Sequence, residues 1–104
     1  MHYKRYEILL PLKYNSGEKI EPIKFQITHN ELMYKFGAIS KDLIEVSGHW
    51  YYKGKFYLDK LHRWRLDLRD TRKNFKFFKE YKNLLQKRFE QEEIWITIIR
   101  IEVV

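Results

Sequence analysis

Residues 48–68 read G-H-W-Y-Y-K-G-K-F-Y-L-D-K-L-H-R-W-R-L-D-L, and this stretch decides the architecture. Its second half alternates strictly. Phe56, Leu58, His62, Trp64, Leu66 and Leu68 share one parity, with Lys60 the exception, while Tyr57, Asp59, Arg63, Arg65, Asp67 and Arg69 share the other. A period of two over such a length predicts a β-strand, and the charged parity must meet water or a charged partner. Lys53-Gly54 lies where two arms would turn, so the stretch is read as one hairpin.

The remaining segments arrange themselves around that hairpin. Upstream, residues 39–52 form its first arm, with Ile44, Val46, Trp50 and Tyr52 on one parity and Glu45, Ser47, His49 and Tyr51 on the other. Gly48 inside this arm predicts a bulge or a close approach by another backbone. Before it, residues 23–36 change to a helical period: Ile23, Ile27, Leu32, Met33 and Phe36 recur at threes and fours, and Gly37 stands where a helix stops. Thr28 and Glu31 have capping-box spacing, which predicts a regular helix starting near residue 28. Residues 3–12 alternate again and predict a first strand, with Pro11 near its exit and a turn at Tyr14-Asn15-Ser16-Gly17. Downstream, Asp70-Thr71 offers an N-cap for a helix over residues 72–89. That helix would bury Phe75, Phe78, Tyr81, Leu85 and Phe89 and turn Lys73, Lys76, Lys79, Lys82, Lys87 and Arg88 outward. Residues 94–103 form a β-branched run suited to a covered strand.

The order strand–helix–strand–strand–helix–strand specifies an α+β, ferredoxin-like βαββαβ sandwich: a four-stranded antiparallel sheet with two helices on one face. Right-handed crossovers put the first and third strands in the middle. At 104 residues, the chain is expected to form a single ferredoxin-like domain over residues 1–104.

Composition narrows the chemistry. Hydrophobic residues make up 44% and aromatics 17%, which predicts a packed, ring-rich core despite 34% charge. With no cysteine, disulfides, thiol nucleophiles and thiolate metal sites are excluded, and a reducing cytoplasm is the expected setting. Residues 1–6 enter an alternating pattern directly, and no segment reaches the ~18 apolar residues of a membrane span. The net charge of +7 favours polyanions as partners, although the basic residues are spread along the chain.

One face of the sheet would carry the helices. The other, with Tyr3, Arg5, His49, Tyr51, Arg63, Arg65, Trp95 and Thr97, would lie open and is the candidate binding surface. Aromatics among arginines on a bare sheet suit stacking with single-stranded RNA, although the Gly-and-aromatic string of RNA-recognition modules is absent. Leu9, Trp95 and Ile99 on the same parity suit burial against a second copy. Of the histidines at 2, 29, 49 and 62, none shows metal-ligand spacing; His62 falls on the apolar parity, and His49 is the one candidate acid or base. No phosphate-loop, dinucleotide or nucleophile-elbow string occurs. Neither a metal nor a cofactor is expected. The chain is read as a small cytoplasmic binding or interaction domain, homodimeric through the open face, with a protein partner also compatible. The alternatives are a basic single-stranded nucleic-acid-binding protein and a metal-independent ribonuclease or small-molecule enzyme using His49 with Tyr51, Arg63 or Arg65.

Gly48-x-Trp50, Gly54, Tyr57 and Asp59, followed by Tyr81-Lys82 and Arg88-Phe89-x-Gln91-x-x-Ile94, resemble the G-x-W…R-F-x-Q pattern of a group of small uncharacterised bacterial proteins. Glu31-Leu32 with Lys35-Phe36-Gly37-Ala38 is similar to their E-L…[KR]-F-G-G segment, with Ala38 standing for the usual second Gly. The resemblance implies a ferredoxin-like domain and assigns no catalytic residue.

Overall fold

The computed structural model describes residues 2–42 and 44–104; Met1 and Leu43 lie outside the described residues. The chain forms β1 (Tyr3–Pro11), α1 (Pro22–Phe36), β2 (Ser40–Lys41), β3 (Val46–Tyr52), β4 (Lys55–Arg69), α2 (Arg72–Arg88) and β5 (Trp95–Ile101). β4 pairs with β1 and β1 with β5, all antiparallel, so β1 and β4 occupy the middle as expected. The outer edge of β4 is shared: β2 pairs along Arg65 and Trp64, and β3 along Leu61 to Lys55. The ferredoxin-like α+β plan is therefore present, with its second strand broken into two and five strands in place of four.

That break corrects the expected continuous arm over residues 39–52, which also crosses the undescribed Leu43. Asp42 still donates its backbone N–H to Arg63 (3.0 Å), but its carboxylate turns to the arginines of β4 and the ladder resumes only at Val46. Gly48 marks no bulge, because pairing runs on evenly through it. What approaches it is a side chain rather than another backbone: a Cβ there would lie 3.1 Å from Leu61 Cδ1. The hairpin turns on two residues, Lys53 (φ 49°) and Gly54 (φ 80°), the pair of positive φ angles that matches strand twist.

One apolar layer lies between sheet and helices. Tyr6, Ile8 and Leu10 of β1 and Trp64 and Leu66 of β4 meet Leu32 of α1 and Phe78, Tyr81 and Leu85 of α2, with Ile20, Phe89 and Ile94 closing the ends. Rings dominate this layer, with Tyr6 stacked on Phe78 at 4.2 Å between centroids and Phe25 against Phe89 at 5.2 Å. α2 begins as expected, Thr71 accepting from the Asn74 backbone N–H, and α1 stops at Gly37 in the left-handed region.

α1 starts earlier than expected, at Pro22, because proline at a first helical position needs no N–H partner. Thr28 and Glu31 form no capping box. Thr28 is fully buried, donating to the Lys24 carbonyl (2.8 Å) and accepting from Arg88 (2.8 Å). Arg88 also grips both Glu31 oxygens (2.5 and 2.9 Å), and Tyr81 donates its hydroxyl to Glu31 (2.9 Å). The spacing reflects a polar clamp between the helices, and Arg88 is turned inward rather than outward. Several expected core groups stay exposed: Ile23, Ile27 and Met33 on α1, Phe75 on α2, and Phe56 and Leu58 on β4. Phe56 and Leu58 keep the parity of Trp64 and Leu66, yet among the described residues they stay largely uncovered.

Candidate functional site

Register decides which side chains share the open face. The two-residue turn sets Tyr52 opposite Lys55, so each even residue of β3 faces an odd residue of β4: Trp50 opposite Tyr57, Gly48 opposite Asp59 and Val46 opposite Leu61. Trp50 and Tyr52 therefore join Arg63 and Arg65 on the open face. His49 and Tyr51 do not: they stand opposite Leu58 and Phe56, on the parity of the core layer. The proposed grouping of His49 and Tyr51 with Arg63 and Arg65 is corrected, because parity counted within each strand says nothing about which faces coincide across the turn. Tyr3, Arg5, Trp95 and Thr97 do lie on the open face, opposite Arg69, Asp67, Leu9 and Glu7 respectively.

Arg5, Arg63 and Arg65 of this face are matched by carboxylates of the same chain. Arg5 forks onto Asp67 (2.8 and 3.1 Å), Arg63 lies 3.7 Å from Glu7 and 3.5 Å from Asp42, and Arg65 lies 3.1 Å from Asp42. Three guanidinium groups thus meet three carboxylates, and the middle of the face carries no surplus charge. The fork of Arg5 holds the Asp67 carboxyl below its ordinary range. The arrangement suits an ordered, internally satisfied surface better than a track for phosphates, since each cation would have to give up a carboxylate first. The Nε atoms of Arg63 and Arg65 are buried without a hydrogen-bond partner among the described residues, so both hold Asp42 through their terminal nitrogens.

Beyond Arg63 the face becomes apolar and concave. Leu9, Pro11, Leu61, Trp50, Tyr52 and Trp95 line a cleft of about 720 Å³, bordered by His49, Asp59 and residues 91–93. Trp50 is fixed in it by its indole N–H donating to Asp59 (2.8 Å) and by stacking on Tyr57 at 4.5 Å. Asp59 is thereby engaged by Trp50 rather than by a neighbouring lysine or arginine. A mostly apolar hollow with a few fixed polar groups is the ordinary form of a binding site. Past the cleft, the hairpin exposes rings on both faces: Trp50, Tyr52 and Tyr57 on one, Tyr51 and Phe56 on the other, with Phe56 86% exposed. Among the described residues, no group of three or more His, Asp or Glu side chains converges to hold a metal ion, and no helix is long and apolar enough to cross a membrane.

Sequence reasoning missed Trp50, Tyr52, Leu61 and Asp42. The first three could have been found by counting outward from the Lys53-Gly54 turn; the role of Asp42 depends on the break between β2 and β3, which leaves no local signature.

The architecture defines a class, the small ferredoxin-like α+β domains, and solved structures share it. No protein-family model and no curated protein matches the sequence. Two solved structures superpose along the whole chain. CutA1 from Oryza sativa aligns with a TM-score of 0.67 at 8% identity, over 100% of this chain and 84% of that one. The periplasmic divalent cation tolerance protein CutA from Archaeoglobus fulgidus aligns with a TM-score of 0.63 at 15% identity, over 100% and 87%. At these identities the likeness is one of fold.

Proposed function

We propose that the chain is a small cytoplasmic binding domain that assembles with copies of itself, using the projecting hairpin together with the apolar end of the open face. The observation that carries this reading is the distribution of exposed apolar area. Trp50, Tyr51, Tyr52, Phe56, Tyr57 and Leu58 crowd one ribbon outside the core, while Trp95 and Ile99 stand exposed on β5. Single exposed apolar groups are unremarkable on a soluble domain; a contiguous ring-rich ribbon marks an interaction surface. Both outer strands support the reading. β3 pairs only with β4 and β5 only with β1 among the described residues, so each offers an unpaired backbone edge to another chain. The balanced arginine–carboxylate rows between them favour a protein surface over a polyanion as the occupant of this face.

Sedimentation equilibrium at micromolar concentration tests it. The expected result is a mass at a multiple of 13.0 kDa, returning to the single-chain value in a Phe56→Ser/Leu58→Ser variant. A wild-type chain that stays at 13.0 kDa over the whole accessible concentration range would falsify the assembly.

A further inference from the structure

With Arg5, Arg63 and Arg65 neutralised in place, most of the surplus positive charge of the chain must sit away from the middle of the open face. Part of it lies on the convex outer face of α2, where Lys73, Lys76 and Lys79 are spread over solvent. Part of it converges. A second hollow, of about 580 Å³, opens where the β1–α1 loop meets β2 and β4, and four lysines line it: Lys13, Lys19, Lys41 and Lys60.

The backbone brings them together. Ile20 N–H donates to the Leu12 carbonyl and Leu12 N–H to the Lys60 carbonyl, both at 3.0 Å, and Lys13 bridges Lys19. Lys41 arrives from β2 opposite Trp64. None of the four makes a salt bridge among the described residues: Lys60 donates to Ser47 (3.1 Å), and Lys41 lies 4.1 Å above the Trp64 ring and 2.7 Å from His29 Nδ1. Of the two carboxylates on the lining, Asp42 is engaged by Arg63 and Arg65 from the opposite face, leaving Glu45 against four ammonium groups. Burial lowers the Lys41 pKa, so that cation is held at a cost an incoming anion would relieve. His62 and the apolar walls of Ile20, Pro22 and Phe25 complete the hollow and focus its field.

We propose that this hollow is a binding site for a small phosphate-bearing polyanion, held by Lys13, Lys19, Lys41 and Lys60. The choice of cation favours phosphate over carboxylate. Among the described residues, the arginines that hold carboxylates, Arg5, Arg63, Arg65 and Arg88, do so through guanidinium nitrogens suited to two-oxygen partners. The hollow has lysines alone, compact point charges that can surround tetrahedral oxygens from several directions. Four lysines on the lining of one hollow call for more than one negative charge in the ligand, as in a polyphosphate chain, free or carried on an organic body. The site shares Lys60 with the hairpin proposed for self-association, but Lys13, Lys19 and Lys41, whose variants test it, lie outside that hairpin, so the two readings can fail separately.

Isothermal titration of the full chain at one fixed ionic strength tests the assignment, with sodium tripolyphosphate, adenosine triphosphate and citrate as probes. Lys13→Gln/Lys19→Gln should weaken tripolyphosphate binding about tenfold or more. Lys73→Gln/Lys76→Gln on α2, which removes the same charge, should weaken it less than about twofold. Lys41→Gln provides a second pocket variant, expected to match the first in direction. Tripolyphosphate and adenosine triphosphate binding equally would show that the phosphate chain alone is read; tighter adenosine triphosphate would show that its organic body is read as well. Three results overturn the proposal: no tripolyphosphate binding by the wild type at millimolar concentration, equal losses in the two double variants, or citrate binding as tightly as tripolyphosphate.

Discussion

β4 passes through two environments with its apolar parity interrupted by charge only at Lys60. From Leu61 to Arg69 its even residues lie under the helices, and Trp64 and Leu66 are buried. From Lys55 to Lys60 the same parity carries Phe56 and Leu58, equally apolar and left in the open. Alternation therefore establishes that a segment is a strand with two unlike faces; whether the apolar face is covered depends on how far the neighbouring layer extends. The inner half is held by the chain's own core, and the outer half is available to something else.

Substitutions along the strand should separate the two halves. Trp64→Ala removes a buried ring that packs against Phe25 and lies beneath Lys41, and denaturant unfolding should show a loss of about 3–5 kcal/mol. A loss below ~1 kcal/mol would mean that the inner half is not the anchored one.

The clamp beneath the helices should give a smaller, pH-dependent effect. Hydrogen bonds from Arg88 hold the Glu31 carboxyl below its ordinary 4.5. A depressed carboxylate adds stability in full above the unfolded value, and that contribution drains away as pH falls through the lower folded value. Glu31→Gln should cost about 1–2 kcal/mol at neutral pH, discounted because the side chain is 37% exposed. Its stability should also fall less steeply than the wild type's below pH 4.5. An unchanged acid slope in the variant would remove the clamp from the account. Phe56→Ala should have the smallest effect on the isolated chain, within about 0.5 kcal/mol by chemical denaturation at low protein concentration. A loss as large as that of Trp64→Ala would show that the outer half also belongs to the chain's own core.

Much of the architecture could be read from residue order because each signal had a local cause. Gly37 and Gly54 adopt positive φ where a stop and a turn were expected, and Thr71 caps α2 through its own side chain. Features set by distant partners were not legible. Thr28 and Glu31 have the spacing of a cap, yet the residue that engages both is Arg88, on the other helix. His49 and Tyr51 were assigned to the open face from the parity of one strand, when the turn two residues beyond Tyr51 fixes them opposite Leu58 and Phe56. The lysine-lined hollow was invisible in sequence, where Lys13, Lys19, Lys41 and Lys60 are ordinary members of a dispersed basic composition. The pairing of the β1–α1 loop and of β2 with β4 gathers them.

The tip of the hairpin sets Gly54 between two lysines, Lys53 and Lys55, on a turn with every neighbour from Tyr51 to Leu58 exposed. Exposed turns are where proteases nick folded chains, and trypsin cuts after lysine. A cut behind Lys53 would leave both arms in register, since seven facing pairs from Val46–Leu61 to Tyr52–Lys55 still join them. The second arm would remain rooted in the sheet through β1, while the first pairs with β4 alone among the described residues. Assembly through this hairpin, as proposed above, would put the same tip under a neighbour. The rate of nicking would then measure the fraction of subunits standing alone, and the turn would serve as a built-in gauge of assembly.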